Sequence, residues 1–223
     1  MAQLHSQTFP NESAAYRAAR DDLLREELEL RRHLERVAAQ RRALPPGGEV
    51  PQDYVFEGDA GPVRLSELFG GKSTLITYNY MFGPQRERPC PACTSMLSGL
   101  DGLVPDIGQR VEFVVVAKSP VERLRAFARE RGWRHLRLVS SQNNSFNRDY
   151  HGETPDGSEV PMFNVFTRKD GVIRHFHGGE LGAMPSDPGQ NFRGADLEWP
   201  LWNLLDLTPE GRGTDWMPRL SYG

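Results

Sequence analysis

The feature that most constrains this chain is the position of its two cysteines. They are the only cysteines among 223 residues and stand as Cys90-Pro91-Ala92-Cys93, between an apolar run, Thr74 to Tyr80, and a helix expected from Pro91 to about Leu103. A fold carrying this pair must bring a buried strand out of a sheet and, after a loop over Met81–Pro89, start a helix. A sulfur at such a turn meets unpaired backbone N–H groups and the positive end of the helix dipole, which favour its thiolate. Cys90 is therefore the candidate nucleophile. Pro91 suits the first helical position, where a missing N–H costs no intrahelical bond. Cys93, nearly one turn further on, is placed to attack a mixed disulfide on Cys90 and release the product.

Composition narrows the setting of this pair. A content of 38% hydrophobic and 26% charged residues suits one buried core with appendages. The net charge of -3 gives no electrostatic case for nucleic acid or an anionic membrane, and both are set aside as partners. Met1 to Ser13 shows no basic segment followed by an apolar run, and no stretch approaches the roughly 18 apolar residues of a membrane span. The expected location is the cytoplasm. Thiols there are kept reduced, so a lone pair reads as catalytic, sensing or metal-binding rather than as a structural staple.

The rest of the chain arranges itself around this unit. Asn11 to about Leu44, rich in Glu, Arg, Leu and Ala, predicts one long helix capped at Asn11 or Ser13 and ended by Pro45-Pro46-Gly47-Gly48. Tyr16, Leu23, Leu30, Val37 and Leu44 recur every seven residues. That stripe either packs on its own domain or forms a homodimer, although Arg20, Glu27 and Arg41 interrupt a coiled-coil seam. Asp53–Phe56 and Val63–Leu65 predict short strands, Ser66–Phe69 a helical turn, and Thr74–Tyr80 and Val111–Ala117 buried parallel strands. A helix opens at Ser119-Pro120 with Val121, Leu124, Phe127 and Ala128 on one face, and a short one spans Ser145–Tyr150. Met162–Thr167 and Val172–His177 predict a hairpin turned at Lys169-Asp170-Gly171. A last helix is expected over Ala195–Leu205, interrupted at Pro200, with loop and tail at Gly182–Arg193 and Gly211–Gly223. The expected division is a helical extension over 1–48, a main domain over 49–207 and a tail over 208–223.

Val160-Pro161 directly precedes the Met162 strand. A parallel crossover bearing C-x-x-C, followed by a hairpin that a proline opens, resembles the thioredoxin superfamily. The implied fold class is α/β, a central mixed sheet flanked by helices, here with a long N-terminal helix and a C-terminal helix and tail. In that superfamily a cis-proline opens the strand facing C-x-x-C, and the backbone beside it pairs with substrate. The resemblance implies a cis bond at Pro161 and a substrate-binding role for Pro161 and Val160, with Pro91 of the motif beside them. More closely, Asp53-Tyr54-Val55-Phe56-Glu57-Gly58, Tyr80-Met81-Phe82-Gly83-Pro84, the cysteine pair, Val116-Ala117-Lys118-Ser119-Pro120 and Leu204 to Gly213 resemble a bacterial thioredoxin-like family of unknown function. Thioredoxins proper have a Trp before the first cysteine and a buried carboxylate on an earlier strand. Here Pro89 takes the first place and Thr74–Tyr80 offers no carboxylate. A proton relay must then use Tyr78, a loop residue such as Glu87, or water.

The reading of the residues is a thiol–disulfide oxidoreductase acting on a protein or small-molecule disulfide, with no cofactor and no resident metal. A peroxiredoxin-like peroxidase is the nearest alternative, since Leu65–Phe69, Asn143–Tyr150 and Lys169–Arg174 also resemble that branch. Its motif, however, puts Thr or Ser three residues before the cysteine and Pro seven before, where Glu87 and Gly83 stand. Cys90 and Cys93 could instead join His175 and His177, which alternate on one strand and so should face one side, in a zinc site. A non-catalytic binding module on the same fold is the remaining alternative. Arg86 and Arg88 precede the motif and either favour the Cys90 thiolate or are solvated loop charges.

Overall fold

In a computed structural model the described residues are 7–189, 194–195 and 198–222. The chain divides into two compact units, Met1–Pro45 and Pro46–Gly223. The first is a single helix, α1 (Ala14–Arg42), whose N-cap is Ser13, with its side chain accepting from the Tyr16 N–H at 3.1 Å. Its charged surface is laced by pairs one turn apart, among them Arg17–Asp21 and Arg25–Asp22, each adding a few tenths of a kcal/mol to an isolated helix. Leu23 and Leu30 of the heptad stripe are exposed. Among the described residues no helix is long and apolar enough to cross a membrane.

The second unit is built on a seven-stranded sheet of β1 (Val55–Gly58), β2 (Gly61–Arg64), β3 (Thr74–Asn79), β4 (Glu112–Ala117), β5 (Arg137–Ser140), β6 (Met162–Lys169) and β7 (Val172–Gly178). Their order is β2-β1-β5-β4-β3-β6-β7. Between them lie α2 (Leu65–Leu68), α3 (Pro91–Asp101), α4 (Val104–Ile107), α5 (Val121–Arg131) and α6 (Phe146–Asp149), and α7 (Pro200–Leu205) follows. β3 pairs parallel with β4 after the α3 crossover, and antiparallel with β6, which forms the β6–β7 hairpin. This β4-β3-β6-β7 unit is the core of a thioredoxin fold. The hairpin turns at Asp170 and Gly171, both at positive φ of 52° and 81°, the conformation that a two-residue turn with both centres left-handed needs.

Near-continuous apolar strands imply helices on both faces, and the core is indeed split in two by the sheet. One layer holds Tyr78 and Tyr80 with Met96 and Leu97 of α3, Leu124 and Phe127 of α5, and Trp202 of α7. The other holds Leu75, Val114, Val116 and Phe166 with Leu65 and Leu68 of α2 and Phe146 of α6. Successive residues of β4 thus feed opposite layers, as the two-residue period of a strand requires.

Several sequence expectations change. β5 and α4 are additional elements. β5 has only Leu138 and Val139 as an apolar signal, yet lies in mid-sheet between β1 and β4. Pro200 does not interrupt the last helix but opens it, at the position where a proline's missing N–H costs nothing. The expected Ala195 start leads through residues 196–197, which lie outside the described residues, as do residues 190–193 of the expected loop. Among the described residues there is no cis peptide, so Val160–Pro161 is trans. The physical reason is local: the Val160 N–H donates to the Gly152 carbonyl at 3.0 Å, and its own carbonyl accepts from Asn79 Nδ2.

Candidate dithiol site

β3 delivers the chain to the site. Alternation sends Tyr78 and Tyr80 toward α3, while Thr77 and Asn79 go to the opposite layer. The Met81–Pro89 loop then returns, and the Cys90 N–H donates to the Met81 carbonyl at 3.0 Å. Cys90 is the N-cap of α3 and Pro91 its first residue. Cys90 is half-buried, Pro91 exposed and Cys93 only 3% exposed. Thr94 fixes the turn: its N–H and Oγ1 both donate to the Cys90 carbonyl, at 3.0 and 2.8 Å, so the Tyr80 hydroxyl is the donor in its 2.8 Å bond to Thr94 Oγ1.

The two sulfurs are electrostatically unlike. A hydrogen bond from the Cys93 thiol pulls the Cys90 thiol down from an ordinary 9.0 to about 6. Burial opposes this, while the Cys93 and Ala92 N–H groups and the Arg86 charge assist it. Cys93 is pushed well up by its bond to Cys90, by burial and by the Cys90 charge, against which the Tyr78 hydroxyl and the Met81 N–H work. Both cysteines are free thiols. Alkylation of the reduced protein is expected to follow the Cys90 thiolate. The rate should fall about tenfold per pH unit below a midpoint of about 6 and level off above it. The midpoint is diagnostic rather than the plateau, because a more acidic thiolate is also intrinsically less nucleophilic. Iodoacetamide rates between pH 4 and 9 measure it, in roughly the range where the thiolate fraction changes.

A second set of residues shapes the loop. Arg86 Nε donates to Glu159 Oε2 at 3.0 Å. The Glu159 carboxylate rests so close to Gly83 that an added Cβ there would lie 2.7 Å from Oε1, so a larger residue would have to displace that carboxylate. Arg88 is engaged by Glu130 and lies 5.2 Å over the Phe127 ring. Of the two arginines expected near the motif, Arg86 therefore acts on Cys90, while Arg88 is held by α5. Arg123, which sequence reasoning missed, ties the whole loop. Its guanidinium donates to the carbonyls of Gly83 at 3.2 Å, Glu87 at 2.8 Å and Arg86, and sits 4.1 Å over the Phe82 ring. Its signal was a cation in the first turn of a helix, where the dipole disfavours one.

Pro161 stands directly before β6, whose Met162 pairs with Asn79 at the end of β3. The Val160 carbonyl is taken up in a buried network: Asn79 Nδ2 also donates to Gly152 O at 2.8 Å, and Asn147 Nδ2 donates to Asn79 Oδ1 at 2.6 Å. The zinc arrangement does not form. A register shift between Val165 and Phe166 pairs His177 with Val165 and His175 with Phe166, so the two imidazoles fall on opposite faces. His175 hydrogen-bonds Asn164 Oδ1 at 2.8 Å and packs on Tyr150. Among the described residues no three His, Cys, Asp or Glu side chains gather for a metal.

Known proteins give this geometry limited company. No curated protein matches the chain. Among solved structures it is similar to a hypothetical protein from Sinorhizobium meliloti 1021, at 19% identity over 77% of this chain and 90% of that one, with a TM-score of 0.44. It is also similar to peroxidoxin BcpB from Mycobacterium tuberculosis, at 18% identity over 60% and 86%, with a TM-score of 0.46. The exposed lipoprotein thioredoxin of Streptococcus pneumoniae is similar at 15% identity over 66% and 96%, with a TM-score of 0.41. The family described as bacterial protein of unknown function, DUF899, matches residues 6–222, nearly the full length, and the chain belongs to that family.

Proposed function

We propose that the protein is a thiol–disulfide oxidoreductase working in the cytoplasm on a protein or small-molecule disulfide. The observation that carries this is the division of labour between the sulfurs: a half-buried Cys90 lowered to about 6 and a buried Cys93 holding the proton beside it. The Cys90 thiolate attacks one sulfur of the substrate disulfide. A Cys90–substrate S–S bond forms, the substrate S–S bond breaks, and the electron pair leaves on the first substrate thiolate. Cys93 gives up its proton, which balances that departing thiolate. It then attacks Cys90, forming the Cys90–Cys93 disulfide and releasing the second thiolate. The substrate gains two electrons and the protein loses two.

Val160, Pro161 and Pro91 form the substrate-facing rim in this reading. Since the Val160 carbonyl is already occupied by Asn79, Pro161 and the exposed Pro91 supply apolar contact rather than a strand pairing. The Cys93→Ser protein mixed with cell extract should accumulate partners held through Cys90, released by reductant and absent from Cys90→Ser. No captured partner, together with wild-type cysteines that do not oxidise reversibly, would count against the assignment.

A further inference from the structure

A resolving thiol buried this deeply faces a difficulty that Cys90 does not. When Cys93 attacks, negative charge grows on a sulfur only 3% exposed, and water is not there to receive it. Desolvating an anion without a donor costs several kcal/mol. Thr74 to Tyr80 carries no carboxylate, and Glu87, the loop acid considered for proton movement, is exposed. What the structure supplies is a phenol. Tyr78 is 3% exposed, points into the α3 layer with Cys93, and is held against the Phe163 ring at 4.6 Å. It shares that buried cluster with Cys93, and its hydroxyl and the Met81 N–H both favour the Cys93 thiolate over the thiol.

We propose that the Tyr78 hydroxyl is a catalytic hydrogen-bond donor that stabilises the Cys93 thiolate during attack on the Cys90 mixed disulfide. Burial keeps the phenol firmly protonated, so Tyr78 gives a hydrogen bond and does not remove the proton. The proton leaves with the first substrate thiolate, as above. The arrangement is also timed by the chemistry. Two of the influences that hold the proton on Cys93 are its bond to Cys90 and the Cys90 charge. Both disappear once Cys90 is bonded to substrate, while Tyr78 and Met81 remain. Cys93 is thus activated by the event that gives it a target.

The inference rests on the dithiol reading, and one experiment separates the two. The reduced full-length protein is mixed rapidly with an aromatic disulfide that releases a coloured thiolate. The first equivalent of colour reports attack by Cys90, and the second reports resolution by Cys93. Tyr78→Phe, which keeps the ring on Phe163, should leave the first phase unchanged and slow the second about tenfold, corresponding to about 1.4 kcal/mol. It should also move the second phase's pH midpoint upward. Fluorotyrosine at position 78, a stronger donor, should move that midpoint downward and keeps the test sound if the phenylalanine variant folds poorly. Equal second phases with unmoved pH profiles overturn the role of Tyr78 and leave the dithiol reading standing. Absence of a first phase in the wild-type protein overturns both.

Discussion

Phe166→Ala is expected to cost about 3–5 kcal/mol of stability, the usual range for truncating a fully buried phenylalanine. Phe166 is 0% exposed and pairs across the sheet with Leu75 on β3 and His175 on β7. Its ring meets Tyr150 edge-on at 4.8 Å and Phe146 at 5.8 Å. The surrounding rings are fixed by strands and by α6, so they cannot collapse into the space. Thermal melting should show a fall of roughly 10–15 °C for a domain of this size. Because the residue lies on the layer opposite the cysteines, the midpoint of Cys90 alkylation should stay where it is. A change under about 1 kcal/mol would mean that this layer packs differently.

Arg123→Met should act on stability and chemistry together. The substitution keeps much of the aliphatic stem over Phe82 but removes the donors that hold the Gly83, Arg86 and Glu87 carbonyls. Charge-assisted bonds contribute about 1.5–3 kcal/mol each when dry. These carbonyls lie in a partly exposed loop that water reaches, so a total near 2 kcal/mol is expected. With the loop released, Arg86 no longer stands fixed beside Cys90, and the Cys90 midpoint should move up from about 6 toward its ordinary value. Lysine should not rescue the site, because one ammonium cannot present the planar fork that reaches three acceptors. Urea unfolding and the alkylation profile together test this, and an unmoved midpoint would show that Arg123 does not govern the thiolate.

The scheme of the fold was legible because local chemistry and the global arrangement agree. β3 and β4 are rich in β-branched and apolar residues, α3 begins with a proline at its first position, and the β6–β7 turn carries Asp170-Gly171. The placement of the cysteine pair was readable for the same reason, since Pro91 marks the start of the helix that Cys90 caps. The surroundings of the pair were not. Arg123 reaches the loop across 36 to 40 residues of sequence, and Asn79 reaches Val160 across 81. No periodicity carries such contacts. The trans bond at Pro161 was hidden likewise, because Asn79 and Gly152, and not the Val160-Pro161 dipeptide, occupy the neighbouring backbone. Tyr78 was visible as one of several candidates; its burial beside Cys93 singles it out.

The irregularity in β7 reaches further than the zinc question. One unmatched residue, Phe176, stands between His175 and His177 in the pairing with β6. It changes the phase of the strand, so that residues before and after it address different layers. Ile173 and His175 belong with Phe166, while His177 falls on the side of Val165. His175 and His177 therefore stand on opposite faces of the sheet. Among the described residues, the dithiol layer is thus not offered both imidazoles of β7 as a pair of nitrogen ligands beside its two thiols.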